Sequence, residues 1–408
     1  MRILVIAPAQ PSPDARSGFP RVLDDRIRRL RTFALVDVVA PAGRVERGAG
    51  DRAARRSGMR LLADRVRRVW ALVLRGRPLL IHELDWPQRA DDIRRAARSH
   101  PDLVLVEHVL VAGSIDLVRS VLPGVPIVLS EHDVDLHRTG SPLPGWSSRL
   151  SAPLARLDRR AWLRHERRAV RSADVAFVPT AADRDALLGL APDASVQVVP
   201  FGVGVSGCAP SADRDPATLL YIGAFDHVPN VDAATRLAQR VFPRVRAAIP
   251  DARLLIVGRD PGMQVAHLAG SGVTVTGEVA SVTDALCSST LFVAPISRGA
   301  GTRVKILEAL AHGIPVVTTT TGAAGTGAVP GRDLLVVDEA DMAAEVIDLL
   351  RDPERAASLG ASGRQLATDA AADGTRTSVL RSAIASALAP RPARTDGAPK
   401  ARSAGERP

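Results

Sequence analysis

The sequence predicts an α/β protein made of two doubly wound domains, each a parallel sheet with helices on both faces. Short apolar runs such as Ile3–Ile6 and Leu291–Ala294 alternate with helical patterns along the chain. Strands that are apolar throughout are typical of parallel sheets buried on both sides. A chain of 408 residues also exceeds the size that one hydrophobic core usually supports, so two domains are expected.

The amino-terminal domain is expected over residues 1–202, with an arginine-rich helical insert at 44–98. Its apolar runs are separated by helical segments, which predicts parallel strand pairing. The predicted strands are 2–7, 35–40, 102–107, 126–131, 174–179 and 196–200, and the longer predicted helices are 20–32, 109–121 and 149–170.

A second alternating series at 217–388 predicts the carboxyl-terminal domain, which helical segments from Pro353 onward complete. Residues 203–216 are small, polar and proline-containing, which is typical of a linker between domains. Residues 389–408 are rich in Pro, Arg and Ala without periodicity and are expected to be disordered. The predicted strands are 218–222, 253–257, 273–276, 291–295, 315–319 and 334–337, and the predicted helices include 231–248, 280–288 and 340–350.

Composition narrows the class and the compartment. Hydrophobic residues make up 46% of the chain and aromatic residues only 3%, so aliphatic side chains must fill the cores, as in α/β layers.

Cys208 and Cys287 lack metal-ligand spacing and are too few for a disulfide framework, which favours a reducing cytoplasm. The chain opens on a strand-like run, so no signal peptide is expected. The apolar stretch at 69–74 is far shorter than the ~20 residues of a membrane span.

The net charge of +10 suggests nucleic acid as one possible kind of partner. The basic residues concentrate at 44–98, however, without interleaved aromatics, zinc-ligand spacing or a helix-turn-helix, so no nucleic-acid partner is expected. Arginines that flank an apolar stretch around Trp70 fit an anionic membrane surface better, which would hold the protein peripherally on the inner face of the cell membrane. An ordinary solvated face is the alternative interpretation.

The segment 298–320 carries the clearest functional signal. It combines a glycine-rich loop with a short helix after a buried strand, and such loops lie at the carboxyl end of a parallel strand, where ligands bind. Gly299 and Gly301 would let backbone amides approach an anion, and the helix opening near Thr302 adds its unpaired N–H groups. A phosphate-bearing ligand is therefore expected. Positive charge around the same turn comes from Arg298, Arg303 and Lys305.

Glu308 interrupts the apolar positions of this helix, and a buried carboxylate needs a partner. One interpretation is an intrahelical pair with Lys305 or His312. The other is that Glu308 accepts hydrogen bonds from a vicinal diol, such as a ribose, while the helix start holds phosphates. An anion site beside a diol acceptor describes a nucleotide site.

Further motifs follow in a fixed order along nearly the whole chain. Together with 298–320 they resemble the retaining glycosyltransferases of GT-B architecture, in particular the family-four group (glycosyl transferases group 1) that uses nucleotide-diphosphate sugars. The resemblance implies two Rossmann-like domains facing a central cleft, a nucleotide-sugar co-substrate, and neither a cofactor nor a metal. The motifs are Ser17-Gly18, Glu131-His132-Asp133, Val199-Pro200-Phe201-Gly202-Val203, Tyr221-Ile222-Gly223, Pro229-Asn230-Val231-Asp232, Ile256-Val257-Gly258 and the run from Lys305 to Val317.

The resemblance also implies roles for individual residues. Glu308 would bind the donor ribose, Lys305 and the amides of 299–302 the diphosphate or sugar, and His132 the sugar near the reacting carbon. Gly18 would approach the phosphate from the other domain. No protein nucleophile is needed, because the leaving diphosphate can help deprotonate the acceptor. The expected catalytic residues are His132, Lys305 and Arg298, and the expected substrate-binding residues are Gly18, Gly223, Asn230, Gly299, Gly301, Thr302, Arg303 and Glu308.

Two departures from the family pattern affect the donor site. Ala300 stands where the family often has a first glutamate, so the sugar contact assigned to that glutamate is absent or moved. The loop 223–230 lacks the Arg or Lys that many relatives direct at the β-phosphate. Neutralising the diphosphate then falls to Lys305, Arg298 and Arg303.

Several residues carry competing interpretations. Asp133-Val134-Asp135 has metal-binding spacing, but loop capping is favoured. His132 alone could be a structural histidine, although its place after a strand's carboxyl end favours a functional one. Glu107 and His108, after another strand, are weaker acceptor-side candidates. Asn230 and Asp232 suit helix capping as well as ligand contact.

The sequence therefore predicts a retaining glycosyltransferase that moves a sugar from a nucleoside-diphosphate sugar to a glycan, lipid-linked or small-molecule acceptor. A sugar-nucleotide epimerase of the same architecture is an alternative, and it would require additional acid/base carboxylates around the cleft. A non-catalytic relative that binds nucleotide sugars or a membrane surface is a second alternative, motivated by Ala300 and the basic insert.

Overall fold

Both predicted sheets are present in the computed structural model. The structure describes residues 1–12, 18–41, 68–79, 81, 89–132, 134, 148–201, 217–225, 227–279, 281–298, 303–372 and 374–389. Within these residues, twelve strands form two six-stranded sheets, and all pairings between them are parallel. The predicted fold class of two doubly wound α/β domains is confirmed.

The first sheet has the strand order β2-β1-β3-β4-β5-β6. Because β1 pairs with both β2 and β3, the winding direction changes between β1 and β3. In open parallel sheets, ligands bind outside the carboxyl ends of the strands at such a switch point. The strands are β1 (Arg2–Ile6), β2 (Leu35–Val39), β3 (Leu103–Glu107), β4 (Ile127–Ser130), β5 (Val175–Val178) and β6 (Val196–Val198).

The second sheet has the strand order β12-β11-β10-β7-β8-β9, with its switch point between β7 and β10. Segments that follow β7 and β10 therefore lie at the edge where this sheet binds ligands. The strands are β7 (Thr218–Ile222), β8 (Arg253–Val257), β9 (Val273–Gly277), β10 (Leu291–Ala294), β11 (Val316–Thr318) and β12 (Leu335–Val336).

Helices cover both sheets, and two of them differ from the predicted boundaries. The helix predicted at 231–248 begins at Val228 and contains a π-helical turn at Leu237–Val241. Proline is tolerated in the first turn of a helix, so Pro229 fits the early start. Pro243 follows the π turn and has no N–H to donate to it, which accounts for the change in winding. The segment predicted as one helix at 109–121 is a 3-10 helix followed by an α-helix.

The described helices are Gly18–Arg31, 68–75, Arg89–Ala97, Val109–Ser114 (3-10), Ile115–Val121, Ser148–Ser172, Ala181–Leu190, Val228–Arg236, Leu237–Val241 (π), Phe242–Ala248, Gly262–Ala266, Thr283–Ser288, Val304–Ala311, Thr320–Ala323, Glu339–Arg351, Pro353–Ala372 and Thr375–Leu388.

The last described helix, Thr375–Leu388, packs against the first sheet. Its Leu380 and Ile384 lie in one buried cluster with Ile3 and Val5 of β1. We predicted that this helix completes the carboxyl-terminal domain, and the structure corrects that assignment. Its apolar face indicates that it packs, but the sequence does not show against which core. The last described helix therefore belongs to the first domain.

Three further predictions concern segments with little or no described structure. The predicted linker 203–216, most of the basic insert, and the predicted disordered tail beyond Ala389 lie outside the described residues. Cys287 is disulfide-bonded, whereas the cysteine content favours a reducing cytoplasm, where disulfides are rare. Across the described ranges, no helix combines the length and apolar character needed to cross a bilayer.

Candidate functional site

The segment that follows β10 leads into the helix Val304–Ala311, which we call the motif helix. Arg298 and Arg303 bracket four residues, Gly299 to Thr302, that lie outside the described ones. Their predicted backbone cradle for a phosphate, and the consequences of Ala300, therefore stay predictions. The motif helix itself starts at the switch point of the second sheet, as a ligand-binding helix of this fold should.

Glu308 is buried in the motif helix and pairs with a residue of the other domain. Its Oε1 lies 2.6 Å from Nη1 of Arg21, on the helix Gly18–Arg31, which we call the first helix. Burial raises the pKa of Glu308, and the Arg21 guanidinium opposes part of that rise. Among the described residues, this carboxylate pairs with Arg21 and not with the predicted intrahelical partners, Lys305 or His312. Nδ1 of His312 instead bonds to the backbone oxygen of Glu308, 2.8 Å away.

Lys305 points toward the segment after β7. Its Nζ donates to Oδ1 of Asn230 at 2.6 Å and to the hydroxyl of Tyr221 at 3.2 Å. The ammonium also lies 4.7 Å from the centre of the Tyr221 ring. Burial, reinforced by repulsion from Arg303, lowers the pKa of Lys305 to about 7. A cation with this pKa responds to an anion that binds nearby, because the anion stabilises its protonated form.

Asn230 and Asp232 do not cap a helix, contrary to one of their predicted roles. Because the helix begins at Val228, both lie inside its first turns. Asn230 donates from Nδ2 to the backbone oxygen of Ala224 at 2.8 Å, which orients its Oδ1 toward Lys305. Asp232 accepts a 2.8 Å hydrogen bond from Ser297 and lies 3.7 Å from Arg298. Asp232 thus tethers the start of the segment after β10.

Gly223, directly after β7, forms part of a tight backbone crossing. Its amide donates to the backbone oxygen of Val257 at 3.0 Å. A Cβ atom at Gly258 would lie 1.6 Å from the backbone oxygen of Gly223, and one at Gly223 would lie 3.1 Å from Cβ of Asn230. Close packing beneath the predicted donor site therefore requires glycine at position 258 and leaves little room for a side chain at Gly223.

Gly18 brings the first domain against the motif helix. A Cβ atom there would lie 3.3 Å from Cγ1 of Val304, the first residue of the motif helix. The glycine thus permits a close interdomain approach at the end of the helix where an anion is expected. Arg21 lies three residues further along the first helix, on the same helical face.

His132 follows β4 and is held in an aromatic cage. Its ring stacks on Phe201 at 4.3 Å and on His108 at 5.5 Å between centroids, and Phe19 lies 4.8 Å away. Nε2 of His132 lies 2.7 Å from Oε2 of Glu107 at the end of β3. These contacts fix the plane of the imidazole at the carboxyl edge of the first sheet.

The charge on Glu107 decides which nitrogen of His132 carries the proton. Burial alone would raise the pKa of Glu107, but Arg26, His132 and Ser130 together lower it to about 2. Arg26 is itself buried, with Nη1 3.3 Å from Oε1 of Glu107. An ionised carboxylate can only accept, so Nε2 of His132 must donate. Burial also lowers the pKa of His132, so the ring is neutral and Nδ1 is a hydrogen-bond acceptor.

His108 sits beside this pair with an unusual backbone conformation. Its φ of 89° and ψ of 136° lie in a region that residues other than glycine rarely adopt. Its Nδ1 accepts a hydrogen bond from the amide of Leu110 at 3.2 Å, which caps the 3-10 helix. Strain of this kind concentrates at functional sites. Glu107 and His108, the weaker sequence candidates, thus adjoin His132.

Arg21 and Arg26 are the site residues that sequence reasoning missed. Both belong to a first helix that also contains Arg28, Arg29 and Arg31. Their spacing of five residues does not distinguish them from the other arginines of this helix. Only the tertiary contacts to Glu308 and Glu107 separate these two residues from the rest.

Two doubly wound domains with facing ligand edges, a motif helix on one and a buried histidine on the other, define a protein of GT-B architecture. Two family models match this chain. The glycosyl transferase 4-like domain matches residues 17–202, and the glycosyl transferases group 1 model matches residues 216–352. The chain belongs to the group 1 glycosyltransferases.

Curated relatives include two mannosyltransferases. A GDP-mannose-dependent monoacylated alpha-(1-6)-phosphatidylinositol monomannoside mannosyltransferase from Corynebacterium glutamicum is 33% identical over 189 residues, 41% of this chain and 50% of the relative. A GDP-mannose-dependent alpha-(1-6)-phosphatidylinositol monomannoside mannosyltransferase from Mycolicibacterium smegmatis is 32% identical over 203 residues, 44% of this chain and 53% of the relative. The chain spans about half the length of these curated relatives.

Solved structures agree on the fold. Sucrose-phosphate synthase from Thermosynechococcus elongatus superposes with a TM-score of 0.66 at 16% identity, covering 95% of this chain and 99% of that protein. Anabaena HepE in complex with UDP superposes with a TM-score of 0.59 at 15% identity, covering 95% and 100%. At this level of identity the likeness shows the architecture.

Proposed function

We propose that this protein is a retaining glycosyltransferase that moves a sugar from a nucleoside-diphosphate sugar to an acceptor. One observation carries the proposal. Glu308 and Lys305 on the motif helix lie at the ligand edge of one sheet, while the first helix, from the domain that holds His132, contacts that same motif helix. A carboxylate, a cation and a neutral imidazole are the groups that a ribose, a diphosphate and a sugar hydroxyl respectively require.

The donor is proposed to lie along the motif helix. Glu308 would accept hydrogen bonds from the two ribose hydroxyls, while Lys305, Arg298 and Arg303 bind the diphosphate with the backbone amides of 299–302. Guanidinium groups match phosphate oxygens in pairs, and a helix start favours negative charge. Gly18, Gly223 and Asn230 shape the site through the close contacts described above.

His132 is proposed to accept a hydrogen bond from a donor-sugar hydroxyl through Nδ1, because its Nε2 is committed to Glu107. Retention then needs no protein nucleophile. The leaving diphosphate takes the acceptor proton on the same face as the new bond forms, and the protein supplies orientation and positive charge. We propose that no metal and no cofactor take part; transfer that survives excess EDTA supports this, and loss of transfer restored by a divalent cation contradicts it.

The donor is identified first by thermal shift with GDP-, UDP-, ADP- and dTDP-sugars, since a ligand of the folded state raises its stability. GDP-mannose is the first candidate, because four of the mannosyltransferase relatives are named for it. Glu308→Ala and Lys305→Ala should each reduce the shift. Glu345→Ala on the helix Glu339–Arg351, whose carboxylate pairs with Arg355, is the matched control. If both site variants retain full donor binding, the proposed site is wrong.

Product analysis separates the function from its alternatives. Transfer to an acceptor, or slow hydrolysis of the donor to a nucleoside diphosphate and free sugar, is expected of a glycosyltransferase. A soluble epimerised nucleotide sugar would indicate the epimerase. Donor binding without any turnover, across a panel of sugar, lipid-linked and small-molecule acceptors, would indicate the non-catalytic relative. Retention of the anomeric configuration is read directly by proton NMR of the product.

A lipid-linked acceptor at an anionic membrane is the acceptor that we propose, on the cytoplasmic face. The helix 68–75 exposes Trp70, Val73 and Leu74 at 60%, 57% and 66%, and their spacing puts them on one helical face. Arg68 and Arg75 lie on the same helix. An exposed apolar face with arginines beside it suits the headgroup region of a bilayer.

Co-sedimentation with vesicles tests this membrane surface. Binding is expected to vesicles that contain phosphatidylglycerol or phosphatidylinositol, to fall with salt, and to be lost on changing Trp70, Val73 and Leu74 to serine. Changing Met263 and Val329, which are exposed elsewhere, to serine is the control. Equal binding to neutral vesicles, or none to either, contradicts the proposal. Trapping thiols with an alkylating agent during lysis tests the compartment: Cys287 trapped as a free thiol would support the cytoplasmic face, whereas Cys287 found in its disulfide would contradict it.

A further inference from the structure

In the Arg21–Glu308 pair, Arg21 occupies the carboxylate that the proposed function assigns to the donor ribose. Nη1 of Arg21 contacts Oε1 of Glu308 at 2.6 Å, and the two side chains are only 21% and 8% exposed. A ribose diol that approaches Glu308 competes with Arg21 for this carboxylate. Donor binding therefore has to change the partner of Arg21.

An arginine released from Glu308 needs another anion. A largely buried charge without a counterion is strongly destabilising, so Arg21 cannot simply be left unpaired at the interface. Nε of Arg21 is also buried, and among the described residues it has no hydrogen-bond partner. The guanidinium thus keeps donor capacity beyond the bond to Glu308, in the fork geometry that suits phosphate.

The nearest place for an anion is the start of the motif helix. Gly18, one helical turn before Arg21, lies against Val304 at that start. Glu308 lies one turn further along the motif helix, about 6 Å from Val304 along the helix axis. A change in the side-chain rotamers of Arg21 covers such a distance without movement of the first helix.

The cations already assigned to the donor site are partly committed to protein partners, and Nε of Arg303 donates to the backbone oxygen of Thr321 at 3.2 Å. The loop 223–230 contains neither Arg nor Lys, and the ammonium of Lys305 is already bonded to Asn230 and Tyr221. Arg298 lies 3.7 Å from Asp232, which offsets part of its charge. A diphosphate carrying about two negative charges therefore leaves room for one more guanidinium.

We propose that Arg21 is a donor-binding residue that exchanges partners. It neutralises Glu308 while the site is empty, and it binds the diphosphate when the ribose hydroxyls take Glu308. The inference rests on the proposed nucleotide-sugar site and adds a cation supplied by the amino-terminal domain. The exchange links donor binding to the contact between the two domains, because the same side chain serves the interface and then the ligand.

Calorimetry with a nucleoside diphosphate and its nucleoside tests the exchange, with GDP and guanosine as the first pair and UDP and uridine as the second. Arg21→Ala should weaken diphosphate binding about tenfold or more, the loss of one charge-assisted bond. The same variant should strengthen nucleoside binding, since Glu308 is no longer occupied. Arg28→Ala on the same helix, whose exposed side chain pairs with Asp24, should change neither.

The two affinities distinguish the outcomes. Weaker binding of both ligands to Arg21→Ala would mean that Arg21 has a structural role, and stronger binding of both would mean that it only obstructs the site. Unchanged diphosphate binding would mean that Arg21 has no role in the donor site. Each of these results overturns the exchange. If Arg21→Ala does not fold, Arg21→Gln combined with Glu308→Gln leaves no buried charge unpaired, and it should still bind diphosphate more weakly than Glu308→Gln alone. Wild-type protein that binds no diphosphate at all would overturn the proposed function itself.

Discussion

Glu107 holds the ring of His132 through a single hydrogen bond of 2.7 Å between Oε2 and Nε2. Glu107 is ionised because Arg26 and its other partners lower its pKa to about 2 despite complete burial. The carboxylate therefore dictates the tautomer, and Nδ1 becomes the acceptor. The orientation of the proposed sugar-binding imidazole is thus set by a residue on a neighbouring strand.

The first prediction concerns this tautomer. Long-range nitrogen NMR of His132 should show a protonated Nε2 and an unprotonated Nδ1 at neutral pH. In Glu107→Gln the neutral amide no longer enforces that state, and the pKa of His132 should fall further because the carboxylate had raised it. Resonances are assigned with His132→Asn. A wild-type ring protonated on Nδ1 would contradict the assigned geometry, and Asp116→Asn, at an exposed pair with Arg168, should leave the ring unchanged.

The second prediction concerns stability in acid. The pKa of Glu107 is about 2 in the folded protein and about 4.3 in an unfolded chain, a difference worth about 3 kcal/mol. Because the folded pKa is depressed, this stability is present above about pH 4.3 and is lost as the pH falls through about 2. Urea denaturation should therefore show Glu107→Gln destabilised by about 3 kcal/mol at pH 7, with the difference shrinking below pH 4.3. Asp116→Asn should cost less than about 1 kcal/mol, and a pH-independent gap for Glu107→Gln would rule out this assignment.

Apolar runs were sufficient to predict the sheets. Strands such as β3 and β10 are buried along their whole length, so their sequences are continuous and easily separated from helices. The boundary at Val228 was harder, because His227-Val228-Pro229-Asn230 has the composition of a loop. The placement of the last helix was not available at all, since an apolar helical face gives no information about which of two cores it joins.

The candidate site likewise contains residues that the sequence predicts and residues that it does not. Lys305, Glu308 and His132 were predicted because motif and strand-end position are local features of the sequence. The partner of Glu308 was not, since spacing within one helix cannot reveal an arginine from another domain. Only its tertiary contact distinguishes Arg21 from the other arginines of its helix. Because of that contact, Glu308 is not an open acceptor, and a bound ribose has to displace Arg21 from it.

The third prediction concerns Gly258, which packs against the backbone of Gly223 next to the proposed donor site. A methyl group there would lie 1.6 Å from the backbone oxygen of Gly223, directly after β7. Gly258→Ala must displace one of the two segments and should lower the free energy of unfolding by more than about 2 kcal/mol, measured by urea denaturation. Gly189→Ala is the matched control, since nothing lies within 4 Å of its added Cβ and alanine favours a helix by about 0.5–1 kcal/mol. Equal stability of the two variants would show that the crossing is not close-packed.

The last prediction concerns the proton on Lys305. Its pKa of about 7 in the empty site means that about half of the molecules carry the ammonium at pH 7. A diphosphate bound beside it favours the charged form, so binding should take up about half a proton per site at pH 7 and more at pH 8. Affinity for the nucleoside diphosphate should accordingly fall as the pH rises above 7. Calorimetry in buffers with different ionisation enthalpies measures the uptake directly, and Lys305→Met should abolish it. Proton uptake that persists in Lys305→Met would assign the titration to another group, and proton release on binding would contradict the charge state inferred for the empty site.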